Sequence, residues 1–209
     1  MDWHPAPAQI RGQYPADWRG ITDEMLAELE ALLDSAADER PIQYFFETNP
    51  GALIASTISP HMAWAFSRPT LPKPGGGSFV PDFMICDWSS IGPTWTIVEL
   101  ENPNFRVTKR DGISAQGIHA IQQVKDYRRH LKKYPQLVRE GGFPGIHNPS
   151  DSLIVIGRRM HGLPIELNAE RLAEYREERI EVASYDRLLE RFRGLLEFRN
   201  EVRRTKNSN

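Results

Sequence analysis

Two short apolar runs separated by a polar turn constrain the fold of this chain more than any other feature. Residues 79–86 and 95–100 are rich in β-branched and aromatic side chains, and the segment between them contains Gly92 and Pro93. Two such runs joined by glycine and proline are typical of a β-hairpin. The sequence therefore predicts two antiparallel strands in this region.

Three acidic residues belong to this predicted hairpin. Side chains alternate along a strand, so Glu99 and Glu101 are expected on one face, outside the core that the apolar residues between them enter. Asp82 lies at the head of the partner strand, where the hairpin register could bring it beside Glu99. Converging carboxylates repel one another unless a cation lies among them, and their hard oxygen atoms suit Mg²⁺ or Mn²⁺. An ordinary solvated strand face is the alternative.

Helical and strand-like patterns alternate over the rest of the chain. Helices are predicted over residues 22–40, 42–48, 114–134 and 168–176 and from 186 onward, and further strands over 152–156 and 179–185. Residues 52–66 are apolar without a clear period, and the glycine-rich segment 67–78 favours a flexible connector over a phosphate-binding loop. Alternating strands and helices predict an α/β or α+β domain with a mixed central sheet flanked by helices.

The composition is that of one globular domain. The chain has 209 residues, of which 40% are hydrophobic and 26% charged, and its formal net charge is −2. A near-neutral total does not exclude a local basic groove that binds nucleic acid. We expect an extended N-terminal arm over residues 1–21, a single domain over 22–200 and a basic tail over 201–209.

The single cysteine, Cys86, excludes an internal disulfide and fits a reducing compartment. The first residues do not read as a secretory signal, and no apolar run is long enough to span a membrane. These observations predict a cytoplasmic protein.

Basic residues cluster in three places. They are Lys125 and Arg129 on the long predicted helix, Arg106, Lys109 and Arg110 in the linker after the hairpin, and Arg158 at the exit of a predicted strand. Such residues either form solvated faces or contact the phosphate backbone of a nucleic acid.

Three short motifs, which follow one another on two predicted strands and a helix, resemble those of the PD-(D/E)XK nuclease superfamily. Asp82 follows Pro81, and Glu99-Leu100-Glu101 lies on the next predicted strand. Gln123 and Tyr127 resemble the Gln-x-x-x-Tyr motif of the RecB-type branch.

A closer resemblance, over about residues 45–189, is to the nuclease domain of the Shedu antiphage defence family. The matching pieces are FFETNP at 45–50, PDF at 81–83, VELENP at 98–103, Ala120, Gln123 and Tyr127, IGR at 156–158 and SYDRLL at 184–189. The resemblance implies a restriction-endonuclease-like fold and a metal-dependent endonuclease that cleaves DNA in bacterial antiphage defence. It also implies a homo-oligomer and leaves room for a partner protein in defence.

The resemblance assigns roles to individual residues. Asp82, Glu99 and Glu101 would hold Mg²⁺ or Mn²⁺, Glu47 would be an additional acid, and Gln123 and Tyr127 would orient substrate or metal ligands. Glu101 stands where the superfamily usually has lysine, and Lys109 and Lys125 are candidate substitutes. This departure leaves a second interpretation, a catalytically silent nuclease fold that binds nucleic acid or partner proteins.

Overall fold

The computed structural model of the chain describes residues 20–35, 38–57, 62–90, 92–110, 112–147, 151–159 and 170–207. The helices are α1 (Asp23–Ser35), α2 (Arg40–Thr48), α3 (Pro50–Thr57), α4 (Ala115–Lys133), α5 (Pro135–Glu140), α6 (Ala173–Glu177) and α7 (Tyr185–Asn207). The strands are β1 (Met62–Ser67), β2 (Leu71–Pro72), β3 (Ser78–Phe79), β4 (Phe83–Ser89), β5 (Gly92–Leu100), β6 (Thr108–Lys109), β7 (Gly112–Ile113), β8 (Asp151–Val155) and β9 (Ile180–Ala183).

Five of the strands form one mixed sheet in the order β1-β4-β5-β8-β9. The first three are antiparallel to one another, whereas β5, β8 and β9 run parallel. Two short ribbons, β2-β3 and β6-β7, lie outside this sheet. The mixed sheet with flanking helices confirms the predicted fold class.

The predicted hairpin is confirmed as β4 and β5, which pair from Phe83 with Val98 to Ser89 with Gly92. The turn is tighter than the sequence suggested, because Gly92 and Pro93 already belong to β5. Continuing this register by one residue places Asp82 opposite Glu99.

Helices cover both faces of the sheet. On one face, Val98 and Leu100 of β5 join a core with residues of α1, α2, α3 and α7. On the other face, Ile97 packs with Tyr127 and Leu131 of α4. Alternation along residues 97–100 of β5 therefore buries successive side chains in two different cores, so this end of the strand has no solvated face.

Some predictions of local structure were wrong. In place of an irregular apolar segment, residues 50–57 form α3 and residues 62–67 form β1, which pack against each other and belong to the core. Pro41 lies in the first turn of α2 instead of ending the first helix, which stops at Ser35, because a proline is tolerated where no helical partner for its nitrogen exists. Ile118 is exposed, although its spacing placed it in the apolar stripe of α4.

The ends of the chain are described only in part. The predicted N-terminal arm lies outside the described residues except for Gly20 and Ile21, and Ile21 is buried. Helix α7 continues through the basic segment to Asn207. None of the helices within the described ranges has the length and apolar character that crossing a membrane would require.

Candidate functional site

Asp82 lies immediately before β4 and is tied to the end of β5. Its Oδ2 accepts a hydrogen bond of 2.9 Å from the backbone N–H of Leu100. The antiparallel register brings these residues together, because Phe83 pairs with Val98 one step earlier. The predicted neighbourhood of Asp82 and Glu99 is therefore present.

Glu99 is buried, with only 3% of its surface exposed, and the prediction that its side chain lies outside the core was wrong. Helix α4 covers it: Gln123 Nε2 donates to Glu99 Oε2 at 3.1 Å and to the Tyr127 hydroxyl at 2.8 Å. Gln123 and Tyr127 meet because residues four apart are neighbours on a helix. Within the described residues, Glu99 Oε1 is buried without a hydrogen-bond partner.

Burial and mutual repulsion favour the protonated forms of this acid pair. Burial raises the pKa of Glu99 to about 9, and the adjacent charge of Asp82 adds to the effect. Burial likewise raises the pKa of Asp82, although the Leu100 N–H opposes the shift. Burial and the charge of Glu99 also raise the pKa of Tyr127, which keeps its hydroxyl protonated. The pair thus favours uptake of positive charge, as protons or as a cation.

Glu101 lies in a different electrostatic environment from Glu99. Burial raises its pKa to about 7, and the next causes are the charges of Glu39 and Asp82. Burial and the charge of Asp82 also raise the pKa of Glu39, the residue just before α2. Asp82 therefore lies between two acidic groups, with Glu99 under α4 on one side and Glu101 with Glu39 on the other.

Glu47 reaches the same region from the last turn of α2. Its Oε1 accepts hydrogen bonds from Ser67 Oγ at 2.8 Å and from Gln43 Nε2 at 3.2 Å. Its charge contributes to the raised pKa of Asp82. These two bonds hold the Glu47 carboxylate at a helix C-terminus, where the helix dipole does not favour it.

The loop after β5 and the entry to α7 hold this edge of the sheet in place. The fully buried Tyr185 hydroxyl donates to the backbone carbonyl of Glu101 at 2.8 Å. Gly157 has φ +70, and a Cβ there would overlap the carbonyl oxygen of Phe105. The motifs around Glu99, Gly157 and Tyr185 therefore meet at one place, although up to 86 residues separate them in sequence.

The residues predicted to bind nucleic acid divide into two groups. Arg106, Lys109 and Arg110 are exposed, and no hydrogen bond or ion pair of their side chains occurs within the described ranges. The others are already paired: Lys125 with Glu178 at 3.0 Å, Arg129 with Asp126 at 2.8 Å, and Arg158 with both Asp34 and Asp186 at 3.1 and 2.9 Å. Lys125 was one of two candidates to replace the lysine that the superfamily usually has at position 101. Its ion pair with Glu178 directs its charge to another residue.

The site fits a hard divalent cation in part. In the portion of the chain that the structure describes, no three Asp, Glu, His or Cys side chains form a group that could hold a metal ion. The predicted convergence of Asp82, Glu99 and Glu101 into one ready ligand set is thus not observed. Asp82 and Glu99 nevertheless offer adjacent carboxylates, and the buried, unpartnered Glu99 Oε1 is a donor atom that lacks a positive partner.

Sequence reasoning missed two residues that influence this site. Glu39 repels Glu101, and the positive charge of Arg68 lowers the pKa of Asp82. Glu39 carries no motif that could have identified it. Arg68 could have been found only if β1 had been recognised, since that strand pairs with β4 and ends beside Asp82.

Comparisons with known proteins identify a family for this chain. A search of curated proteins found no match. A solved structure of the restriction endonuclease FokI bound to DNA aligns with a TM-score of 0.48 and 14% sequence identity over 87% of this chain and 30% of that chain. The family model described as Shedu protein SduA, C-terminal, matches residues 36–189, which is more than half of the chain and includes Asp82, Glu99 and Glu101. The chain therefore belongs to the Shedu SduA C-terminal family.

Proposed function

We propose that this protein is a divalent-metal-dependent DNA endonuclease of the PD-(D/E)XK type that acts in bacterial antiphage defence. The observation that carries the proposal is the Asp82–Glu99 pair, in which a buried carboxylate oxygen of Glu99 has no partner within the described residues. Burying two adjacent acids is costly unless positive charge compensates them. Membership of the Shedu family supports the nuclease reading of this pair.

The reaction would be hydrolysis of a phosphodiester. The oxygen of a water molecule forms a bond to phosphorus, and the bond from phosphorus to one ester oxygen breaks. One water proton passes to a base, and the departing ester oxygen takes up a proton to leave as a hydroxyl. A divalent cation held by Asp82 and Glu99, as Mg²⁺ or Mn²⁺, would withdraw charge from the phosphate and acidify water.

The other residues of the site would position these groups. Glu101, with a pKa near 7, is matched to a general base at neutral pH, because a base works best when its pKa lies near the working pH. Gln123 orients Glu99, and the hydroxyl of Tyr127 orients Gln123. Glu47 is held by Ser67 and Gln43 as a further acid beside Asp82.

DNA would approach along the exposed loop that follows Glu101. Arg106, Lys109 and Arg110 are the predicted basic residues without an ion pair in the described ranges, so they are available to phosphates. Such contacts are largely blind to sequence, and we expect weak sequence preference. Assembly into a homo-oligomer and control by a partner protein in defence belong to the same proposal.

A second candidate is a catalytically silent nuclease fold that binds nucleic acid or partner proteins. The observation in its favour is Glu101, an acid where the superfamily usually has lysine. The charges of Glu39 and Asp82 raise the pKa of Glu101, and no lysine is among the charges that act on these three acids. A silent fold that binds nucleic acid would still bind DNA, so turnover is the property that separates the two candidates.

The decisive experiment measures nicking of supercoiled plasmid and cleavage of short duplexes in Mg²⁺ or Mn²⁺. The double variant Asp82→Ala/Glu99→Ala is compared with wild type and with Glu28→Ala/Glu197→Ala, which removes two exposed helical acids and the same amount of charge. Cleavage by wild type and by the control, abolished in the site variant and by EDTA, supports the endonuclease. DNA binding without cleavage in every protein favours the silent fold.

A further inference from the structure

We infer that Arg68 is the residue that contacts the substrate phosphate in this site and supplies the positive charge that lysine supplies elsewhere. The inference rests on the proposed function and adds a residue that no motif assigned. It is carried by the position of Arg68 beside Asp82, by a side chain that has no hydrogen-bond or ion-pair partner among the described residues, and by the cavity that Arg68 borders.

The sheet places Arg68 next to Asp82. Strand β1 pairs with β4, and the last pair is Ser67 with Phe83. One step further, the backbone N–H of Arg68 donates to the carbonyl oxygen of Asp82 at 2.7 Å. The two residues are therefore joined through their main chains, and their relative position follows from the sheet.

The backbone of Arg68 is in an uncommon conformation. Its φ is +45, in the left-handed region that residues with a Cβ rarely adopt, and Arg179 is the other non-glycine residue with positive φ in the described part of the chain. Strained backbone of this kind persists where the surrounding structure enforces it, and it often marks functional sites. In Arg68 the strain accompanies a turn that starts immediately beside the acid pair.

The guanidinium of Arg68 acts on the site without being bound to it. Its charge lowers the pKa of Asp82, against the dominant effect of burial. Its side chain is exposed and makes no hydrogen bond or ion pair with any described residue. Arg158, by contrast, is held by two carboxylates at once. Arg68 therefore remains free to bind an anion.

The space around Arg68 suits a phosphate oxygen. Arg68, Glu47 and Ser67 line an open cavity of about 300 Å³, with Phe46 and Phe83 among its apolar walls. The Glu47 carboxylate accepts hydrogen bonds from Ser67 and Gln43 and forms no ion pair with Arg68 within the described residues. A planar guanidinium can donate two parallel hydrogen bonds to a phosphate, which fixes the phosphate relative to Asp82.

This placement accounts for the glutamate at position 101. A lysine on β5 would supply a cation on the strand of Glu99, whereas Arg68 supplies one from β1, on the far side of Asp82 in the sheet order. The charge on the phosphate can be offset from either side, because Coulomb attraction depends on distance and not on the strand of origin. Glu101 is then free to act on water.

The test compares Arg68→Asn, Arg68→Lys and Arg176→Asn with wild type. Asparagine tolerates positive φ better than most residues, so Arg68→Asn removes the charge without adding backbone strain, and its melting temperature is expected to match that of wild type. Arg176 is an exposed arginine on α6 at the opposite end of the sheet and serves as the control. Single-turnover cleavage and the salt dependence of duplex binding in Ca²⁺ are measured for each protein.

We expect Arg68→Asn to reduce cleavage by about 10²-fold, the usual effect of losing one donor to developing charge, and Arg68→Lys to restore part of it. We also expect the slope of log K against log salt to fall by about one in Arg68→Asn alone. An active wild type with equal cleavage and an equal salt slope in Arg68→Asn overturns the role of Arg68 and leaves the proposed function intact. A wild type that binds DNA without cleaving it refutes the endonuclease. In that case a reduced salt slope in Arg68→Asn still supports the phosphate contact, and an equal slope overturns it. A wild type that neither binds nor cleaves DNA overturns both.

Discussion

The side-chain amide of Gln123 donates a 3.1 Å hydrogen bond to Glu99 across 24 positions of sequence, from α4 to β5. The same nitrogen donates to the Tyr127 hydroxyl at 2.8 Å. Both hydrogen atoms of the amide are thereby used, and the orientation of Glu99 Oε2 depends on a residue that does not itself carry charge. Interactions of this kind orient metal ligands, and losing them usually lowers the affinity for the metal and the rate of the reaction.

Gln123→Ala should therefore weaken the site while leaving the fold intact. Without the amide, Glu99 Oε2 loses the donor that fixes its orientation. We therefore expect a loss of roughly 10- to 100-fold in metal affinity or cleavage rate. Gln122→Ala is the control, because Gln122 is exposed and its side chain donates to Asp126 Oδ1 at 2.9 Å, away from Glu99. Titration with Mn²⁺ and cleavage kinetics measure the effect. Equal behaviour of the two variants would show that Gln123 does not support Glu99.

The acid pair predicts how stability depends on pH in metal-free buffer. The pKa of Glu99 is about 9 in the folded protein against an ordinary value of 4.5, so the folded state holds a proton that the unfolded state releases. Its contribution is fully present below pH 4.5 and is lost as pH rises toward 9, hence we expect melting temperature to fall over this range. The raised pKa values of Asp82 and Glu101 act in the same direction.

Glu99→Gln isolates the part of this effect that belongs to Glu99. The amide has the same shape and does not ionise, so the melting temperature of the variant should fall less between pH 5 and pH 8 than that of wild type. Glu197→Gln, an exposed residue on α7, provides the control for removing one carboxylate. Parallel melting curves for wild type and Glu99→Gln across this range would contradict the raised pKa. Saturating Mg²⁺ or Mn²⁺ should reduce the difference if the cation binds this pair.

Glu101→Lys should lower the metal concentration that cleavage requires. The negative charge of Glu101, added to those of Glu39 and Asp82, favours binding of a second cation in this region. A lysine would take the place of that second cation, so fewer metal ions would be needed. We expect half-maximal cleavage at a lower Mg²⁺ concentration than in wild type, measured by metal titration at fixed DNA. Glu177→Lys on α6 makes the same charge change at an exposed position away from the site. An unchanged metal requirement in Glu101→Lys would count against a role for Glu101 in the charge balance of the site.

Removing the free cations of the linker should weaken DNA binding mainly at low salt. Arg106→Ala, Lys109→Ala and Arg110→Ala in one variant are expected to reduce the salt slope by roughly 2 to 3, about 0.9 for each lost phosphate contact. Lys125→Ala/Arg129→Ala should have a smaller effect, since Glu178 and Asp126 already partner these residues. Fluorescence anisotropy at several salt concentrations measures both. If the second variant has the larger effect, DNA lies along α4 instead.

Gly157→Ala should destabilise the edge of the sheet that carries Glu101. The residue has φ +70, and an added Cβ would overlap the carbonyl oxygen of Phe105, so the loop after β5 would have to move. We expect a loss of more than about 2 kcal/mol in the free energy of unfolding, measured by urea denaturation. Gly194→Ala is the matched control, because it lies inside α7 with open space around an added Cβ and should stabilise the helix by about 1 kcal/mol.

The sequence by itself determined the hairpin, the class of fold and the family. Alternating apolar residues and a turn containing Gly92 are local signals, and they predicted β4 and β5 correctly. The spacing of Gln123 and Tyr127 on one helix was equally readable, because helical periodicity brings residues four apart together. The order of these motifs along the chain also identified the family, which the match over residues 36–189 confirmed.

Only the tertiary structure decided how the acids are arranged and what surrounds them. The alternation along β5 predicted an exposed Glu99 side chain. Helix α4 packs over that face of the sheet, and the resulting burial raises the pKa of Glu99 to about 9. Glu39 and Arg68 come to Asp82 from α2 and β1, segments that no local signal connects to β4. Burial and long-range charge depend on which elements pack together, and these contacts join residues far apart in sequence, which is why the electrostatics of the site could not be read from the chain alone.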